Sequence, residues 1–181
     1  MMDITAFRIK TGKEEAAKLA QTQGGFLAKL LCAGKSLSEI RLHFIECKLI
    51  TYEITYTPGW LEKIIFRKAE VKKQTITMLA DGSNGSVSWV NSLPEVVTLQ
   101  DVDESQVQYS IKNDNDVINK GMMLALKVVH RHVGGLPDIK MLKLEKVFRP
   151  YWVAFFGEVI VGNKVRYSPI AADGCGVHRT F

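Results

Sequence analysis

The sequence has few cysteines, no long apolar run and no pattern typical of an export signal. Its three cysteines, Cys32, Cys47 and Cys175, are widely spaced and form no Cys-x-x-Cys pair, which favours a reducing compartment over a disulfide framework. The longest apolar stretch, residues 151–156, is far shorter than the roughly 18–20 residues that cross a bilayer. The first residues offer no basic region followed by an apolar run. The sequence therefore predicts a cytoplasmic protein without membrane contact.

Established catalytic signatures are also missing. The sequence contains no glycine-rich phosphate loop with lysine, no His-Glu-x-x-His and no serine, histidine and aspartate in the order of a known motif. It therefore predicts no cofactor, and it names no substrate.

The composition is that of a globular protein. The chain has 181 residues, of which 46% are hydrophobic and 24% are charged. At this length folding removes roughly 70% of the surface of the extended chain, so neither metal nor disulfide is needed for stability. The formal net charge of +5 favours contact with anionic partners.

Two stretches of the sequence resemble each other at an offset of 99 residues. Residues 39–46 and 138–145 both begin with an acidic residue and isoleucine, and both end with glutamate. Two later stretches, 79–85 and 171–176, both contain Asp-Gly, and an apolar helical segment precedes each copy. Three blocks in the same order predict two diverged copies of one unit, since such recurrence is the signature of repeated architecture.

The predicted fold class is α+β, with two repeated units related by a pseudo-twofold axis. Each unit is a helix packed on a short antiparallel β-meander. The first unit takes residues 1–91 with an N-terminal extension, a connecting segment takes 92–113, and the second unit takes 114–181. Alternating apolar residues indicate strands. The predicted strands are 40–56, 60–67, 75–79, 86–90, 139–148, 151–156, 158–161 and 164–170. Residues 40–56 form either two strands or one long bent strand, and the connecting segment has room for a further strand near 107–111.

Two helices are predicted from their start signals. Residues 11–14 read Thr-Gly-Lys-Glu, a capping box whose hydroxyl and carboxylate satisfy free backbone amides, so the first helix runs on to Gln21. The second begins at residues 114–116, where short acidic or amide side chains cap it. It continues to about His132, because apolar residues recur at spacings of three and four.

The second half of the chain resembles the PepSY-type unit. Residues 149–153 read Arg-Pro-Tyr-Trp-Val, a strand with a Tyr-Trp pair, and residues 172–174 read Ala-Asp-Gly, an aspartate-containing turn before a last strand. The resemblance covers most of residues 116–180 and, more faintly, 25–90. It implies a small sheet packed on one helix and a non-catalytic role in binding or inhibiting other proteins, often peptidases.

Two carboxylates and three aromatic residues are the binding candidates. Asp81 and Asp173 occupy equivalent Asp-Gly turns, where each carboxylate either contacts a partner or bonds its own turn backbone. The aromatic candidates are Trp60, Tyr151 and Trp152, which serve either as core anchors or as an interface.

An enzymatic alternative stays open. Cys175 and His178 offer a thiol and an imidazole that could ligate zinc, although a closed site needs two further ligands. Adding Asp81 and Asp173 to this pair gives a small hydrolase or metal-assisted enzyme with its site between the two repeats. Apart from this pair, the sequence predicts no metal ligands.

A second alternative is nucleic-acid binding through a basic hairpin. The hairpin interleaves basic and aromatic residues, as single-strand binders do, but the same pattern fits a solvated face above a core. Its residues are Lys63, Arg67, Lys68, Lys72 and Lys73, with Trp60 and Phe66.

The leading hypothesis is a non-catalytic binding or regulatory module with a protein or peptide partner. It follows from the repeat and the missing catalytic signature. An edge strand in such a module accepts an extended segment by backbone pairing.

Overall fold

The computed structural model describes residues 1–22, 36–56, 71–132, 137–158, 160, 165–175 and 177–178. Within these ranges the chain forms the helices α1, Lys13–Thr22, and α2, Asp114–His132. The strands in the same ranges are β1 Met2–Phe7, β2 Leu37–Tyr56, β3 Lys72–Asp81, β4 Val87–Val90, β5 Val96–Val102, β6 Val107–Gln108, β7 Asp138–Phe156, β8 Arg166–Ala171 and β9 Val177–His178. A 3-10 turn at Glu104–Gln106 precedes β6. Neither helix has the length and apolar composition needed to cross a membrane.

Hydrogen bonds join these strands into one mixed sheet. The strand order is β5-β1-β7-β2-β3-β4-β9, with β6 added to β2 and β8 added to β7. Most pairs are antiparallel, as between residues 47–56 of β2 and 72–81 of β3. β1 joins β7 in parallel at Phe148, and β6 joins β2 in parallel at Phe44 and Ile45.

A buried proline lies in the interior of β7. Proline has no N–H to donate to a neighbouring strand, so it is normally confined to sheet edges and bulges. In β7 the pairing with β1 is at Phe148 and the pairing with β8 begins at Tyr151, so Pro150 falls between them. Its carbonyl accepts a hydrogen bond from the Ala172 amide at 3.0 Å. The two strands predicted on either side of Pro150 therefore form one strand.

Contacts divide the chain into two compact units, each assembled from three segments. Unit 1 consists of Met1–Glu46, Pro94–Tyr109 and Val147–Cys175. Unit 2 consists of Cys47–Leu93, Ser110–Lys146 and Gly176–Phe181. β2 and β7 each contribute residues to both units.

The described residues of unit 1 form two apolar clusters. In the first, the small side chains of Ala16 and Ala20 let α1 approach the sheet closely. The buried members of this cluster are Ala16, Ala20, Ile40, Ala154, Phe156 and Ile170. The buried members of the second are Ile4, Ala6, Phe44 and Val102.

Unit 2 is organised around α2. The first turn of α2 carries Asp114 and Asp116, whose negative charge is favourable at a helix amino end. The apolar stripe of the helix, with residues three and four apart, packs on β2 and β3. The buried members of this cluster are Val117, Ala125, Val128 and Val129 of α2, Ile50, Tyr52 and Ile54 of β2, and Ile76, Met78 and Ala80 of β3.

The predicted fold class, two repeated α+β units each with a helix on its own antiparallel meander and related by a pseudo-twofold axis, is wrong. The described chain is mainly one mixed sheet, and two of its strand pairs are parallel. α1 packs against Ala154 and Phe156 of β7 and Ile170 of β8, far along the chain, rather than on a meander of its own.

The length of β2 explains this difference. β2 has 20 residues, and at about 3.3 Å per residue it is about 65 Å long. α1 has 10 residues, which corresponds to about 15 Å of helix. One such helix cannot cover the strand, so the two ends of β2 join different cores. Ile40 belongs to the α1 cluster, whereas Ile50 and Ile54 belong to the α2 cluster.

Tyr52 holds α2 close to β2. Its ring is fully buried, and its Oη donates a hydrogen bond to the carbonyl of Ile118 at 2.6 Å. Burial raises the pKa of Tyr52 to about 12. Gly121 faces the ring, and a Cβ built on Gly121 would overlap the Tyr52 hydroxyl. This close approach of helix and strand requires glycine at position 121.

Replacing Gly121 with alanine should therefore destabilise the protein, although alanine is normally the better helix former. The added methyl group displaces Tyr52 or shifts α2, and overpacking of a buried site costs about 1–3 kcal/mol. The measurement is the free energy of unfolding from urea denaturation.

Two variants test whether Tyr52 is the cause. Gly12→Ala serves as the control, because no atom lies within 4 Å of the Cβ it would add. In a Tyr52→Phe background the Gly121→Ala change should cost less, since the hydroxyl is gone and residues in contact are not additive. The same loss in both backgrounds would contradict the steric explanation.

Candidate functional site

Arg149 and Asp173 form a buried ion pair in unit 1. Nε of Arg149 donates to Oδ2 of Asp173 at 2.7 Å, and Nη2 donates to Oδ1 at 3.1 Å. The side chains are 7% and 0% exposed. Nη2 also donates to the carbonyl of Cys175 at 3.3 Å, and the Cys175 amide donates to Oδ1 at 2.9 Å. The bidentate geometry and the added bonds are what a buried charge pair requires.

The turn that contains Asp173 holds the segment leading into α1. The carbonyl of Ala172 accepts hydrogen bonds from the amides of Lys10 and Thr11, at 2.7 and 3.0 Å. Gly174 has a φ of +66°, and the Lys10 side chain lies 3.3 Å from where a Cβ on Gly174 would be. The ion pair thus positions the turn, and the turn positions the residues before α1.

Trp152 is anchored by the same segment. Its Nε1 donates to the carbonyl of Thr11 at 2.8 Å, which fixes the orientation of the half-buried indole. Tyr151 is the neighbour of Trp152 in β7, and the guanidinium of Arg149 lies 5.4 Å from the centroid of its ring. Three of the predicted candidates therefore lie in one assembly of unit 1, where Trp152 and Asp173 are joined through hydrogen bonds and Tyr151 through its contact with Arg149.

A cavity of about 590 Å³ opens beside Trp152. We call it the β2 groove. It is lined by residues 40–43 of β2, Lys13 of α1, Trp152 of β7, and Asp103, Ser105 and Gln106 before β6. The groove thus combines a fixed aromatic wall with charged and amide side chains around one opening.

Most charged groups of the β2 groove have partners within the protein. Arg41 donates to the Glu39 carboxylate at 2.6 Å. Asp103 accepts from the Ser105 amide at 2.9 Å, and the hydrogen bonds from Ser105 hold the pKa of Asp103 below its usual range. The ammonium of Lys13 makes no hydrogen bond or ion pair with any described residue. Lys13 is therefore available to a ligand.

His43 is the titratable group of the β2 groove closest to neutral pH. Burial lowers the pKa of His43 below its ordinary value of 6.5, and the positive charge of Arg41 lowers it further. The imidazole is therefore neutral at pH 7. The walls of the groove gain positive charge as the pH falls.

Asp81 lies in unit 2 and bonds its own turn. Its Oδ1 accepts from the amides of Ser83 and Asn84, at 2.8 and 3.3 Å. The carbonyl of Gly82 accepts from the Ile111 amide at 3.2 Å, which ties this turn to the segment before α2. The Asp81 carboxylate stabilises the connection from β3 to β4.

Lys48 is a buried charge of unit 2. Its side chain is 4% exposed and forms an ion pair with Asp114 in the first turn of α2. Its Nζ also donates to the carbonyl of Lys112 at 3.4 Å. These bonds compensate the buried ammonium and attach the start of α2 to β2.

The remaining predicted residues are only partly described. Trp60 lies outside the described residues, as do the hairpin residues at positions 63, 66, 67 and 68. Of the hairpin cations, Lys72 and Lys73 are described and begin β3, where Lys72 is exposed and Lys73 pairs with Glu53 at 3.1 Å. His178 lies in β9, and its side chain is outside the described part.

Burial raises the pKa of the Cys175 thiol, against the opposing effect of the nearby Arg149. The thiol is therefore protonated at neutral pH, and the thiolate is the form that attacks substrates or binds metal. Within the described ranges, no group of three or more His, Cys, Asp or Glu side chains is arranged to hold a metal ion.

Sequence reasoning missed the partner of Asp173 and the β2 groove. The pairing of Arg149 with Asp173 spans 24 positions, which no local pattern reveals. One signal was present: a lone arginine between Phe148 and Pro150 in an apolar strand, since arginine is rarely buried without a partner. The groove escaped notice because residues 103–106 read as part of a connecting segment.

No protein-family description, curated protein or solved structure matches this chain. The resemblance of residues 149–153 and 172–174 to the PepSY-type unit stays a prediction.

Replacing Asp173 with asparagine should destabilise the protein strongly. Asparagine keeps the shape but leaves the charge of Arg149 buried without a counter-charge, and breaking a buried pair from one side costs about 3–5 kcal/mol. The urea midpoint should fall with little change in slope. Asp81→Asn is the matched control, because its amide oxygen still accepts the turn bonds and the expected cost is below about 1 kcal/mol. Equal losses in the two variants would contradict the importance of the ion pair.

The titration of His43 should be displaced to low pH. Because burial and Arg41 both disfavour its charged form, its NMR titration midpoint is expected below 6.5. Arg41→Gln removes the cationic contribution and should move the midpoint upward, part of the way to 6.5, since burial remains. A midpoint at or above 6.5 in the wild-type protein would show that the imidazole is not buried as described.

Proposed function

We propose that the protein is a non-catalytic binding module that contacts a protein or peptide partner through the β2 groove. The observation that carries the proposal is the fixed, half-buried Trp152 on the wall of an open cavity of about 590 Å³. Tryptophan and arginine are the residue types that contribute most to binding at protein interfaces. Both line the groove, as Trp152 and Arg41, together with Lys13.

The groove is organised before any partner arrives. The indole of Trp152 is held by Thr11, Arg41 by Glu39, and Asp103 by Ser105. A site whose side chains are already oriented loses less conformational entropy on binding, so more of the contact energy is expressed as affinity. This supports recognition of a partner by an existing surface.

The chemistry of unit 1 favours binding over hydrolysis. Both carboxylate oxygens of Asp173 accept hydrogen bonds from Arg149, which favours a structural role for this group over that of a general base. The Cys175 thiol is protonated at neutral pH because burial raises its pKa. An activated nucleophile needs the opposite, a lowered pKa or an adjacent base.

Selection from a displayed library of random peptides tests the proposal. Enriched peptides should shift the backbone amide resonances of residues 40–43 and 103–106 and the indole resonance of Trp152. We expect Ser105→Trp, which fills the groove, to reduce the affinity at least about tenfold, as loss of a central contact does.

Val71→Trp is the matched control for added bulk. Val71 is 53% exposed and belongs to unit 2, so a tryptophan introduced there should leave the affinity for the peptide unchanged. Failure to enrich any peptide, or resonance shifts confined to residues away from the groove, would contradict the proposed function.

A further inference from the structure

β2 lies between β7 and β3 in the sheet, and four consecutive residues of this strand line the β2 groove. Successive side chains of a strand point to opposite faces of the sheet. Ile40 and Leu42 therefore share one face, and Arg41 and His43 share the other. All four nevertheless line the same cavity. A cavity that touches four consecutive residues of a strand runs beside its backbone.

β6 joins β2 further along the strand. β6 pairs in parallel with β2, but it covers Phe44 and Ile45 and no earlier residue of the strand. The chain reaches β6 through the 3-10 turn at Glu104–Gln106, which departs from the extended direction. Asp103, Ser105 and Gln106, which precede β6, form the wall of the groove. The groove is the place that a longer β6 would fill.

The charges around the groove specify the occupant. The Asp103 carboxylate accepts a hydrogen bond from the Ser105 amide. Arg41 is half-exposed and forms an ion pair with Glu39. Lys13 lines the groove and makes no ion pair with a described side chain, and its positive charge acts on the nearby Glu39 carboxylate. The side chain of Gln106 has both a donor and an acceptor to offer a peptide backbone.

We infer that the groove accepts an extended acidic segment of a partner protein, which adds as a strand to residues 40–43 of β2 and places carboxylates beside Lys13 and Arg41. The backbone edge of β2 supplies the affinity, and the two cations select for acidic side chains. This inference rests on the proposed function, because it names the partner's chemistry at the same groove.

Peptides of equal length separate the contributions of charge and backbone. Three fluorescently labelled peptides place adjacent pairs of glutamate, glutamine or lysine between threonines, so that both faces of the added strand carry the test side chain. Their affinities are measured by anisotropy. The glutamate peptide should bind about tenfold more tightly than the glutamine peptide at low salt, from two ion pairs of about two- to fivefold each. The difference should shrink at high salt.

Two lysine variants locate the charge effect on α1. Lys13→Gln should reduce the preference for the glutamate peptide about two- to fivefold, as the loss of one surface ion pair predicts. Lys18→Gln, which removes an exposed lysine of the same helix outside the groove lining, should leave the preference unchanged.

N-methylation of the peptide tests the strand pairing. Methylating the alternate amides that face β2 removes their hydrogen bonds and should weaken binding about tenfold or more, whereas methylating the other set should be tolerated. Equal effects of the two sets, or a lysine peptide that binds as tightly as the glutamate peptide, would overturn the inference.

The remaining outcomes separate the inference from the proposed function. A glutamine peptide that shifts the amides of residues 40–43 as strongly as the glutamate peptide would leave the binding role intact and reject the acidic partner. A concentration-dependent dimer that Ser105→Trp abolishes would make a second copy of this chain the occupant and reject it as well. If no peptide of any charge shifts these amides, both proposals fail.

Discussion

The buried ion pair between Arg149 and Asp173 is the constraint on which unit 1 depends. A charge pair withdrawn from water stabilises a fold only when its geometry is good and its remaining hydrogen-bonding groups are satisfied. Here the guanidinium and the carboxylate meet through two bonds, and the backbone at Cys175 contributes two more. The turn from Ala172 to Cys175 is held in the shape that binds the segment before α1. From that segment follow the position of Lys13 and the orientation of Trp152.

The second constraint is the length of the strands that both units share. A strand as long as β2 presents more apolar surface than one short helix covers, so its two ends are buried by α1 and α2 separately. The small alanine side chains of α1 allow close packing on β7 and β8. In α2, the absence of a side chain at Gly121 leaves room for the ring of Tyr52. The two helices use different small residues, but both pack closely against the strands that they cover.

Local elements were more predictable than their assembly. The second helix was expected at 114 to about 132 and is found at Asp114–His132, because its acidic start and apolar spacing are local signals. Strands β1 and β5 were missed, although residues 2–7 and 96–102 carry a weak alternation, because one lies at the chain start and the other in an apparent connection. The mixed pairing was not predictable, since parallel neighbours are far apart in sequence. The candidate site was predicted in part. Tyr151, Trp152 and Asp173 were predicted from the sequence, whereas the role of Arg149 and the β2 groove depend on contacts between distant segments.

The discontinuous make-up of unit 1 has a consequence for its synthesis. Ala16 and Ala20 of α1 are made before their packing partners Ala154, Phe156 and Ile170, and Ala20 precedes Ala154 by 134 positions. At ribosomal rates this interval is on the order of ten seconds. During that time the buried face of α1 lacks its partners from β7 and β8, and Ile40 of β2 is the buried member of the cluster that is already made. This core of unit 1 is completed only once β7 and β8 have been synthesised.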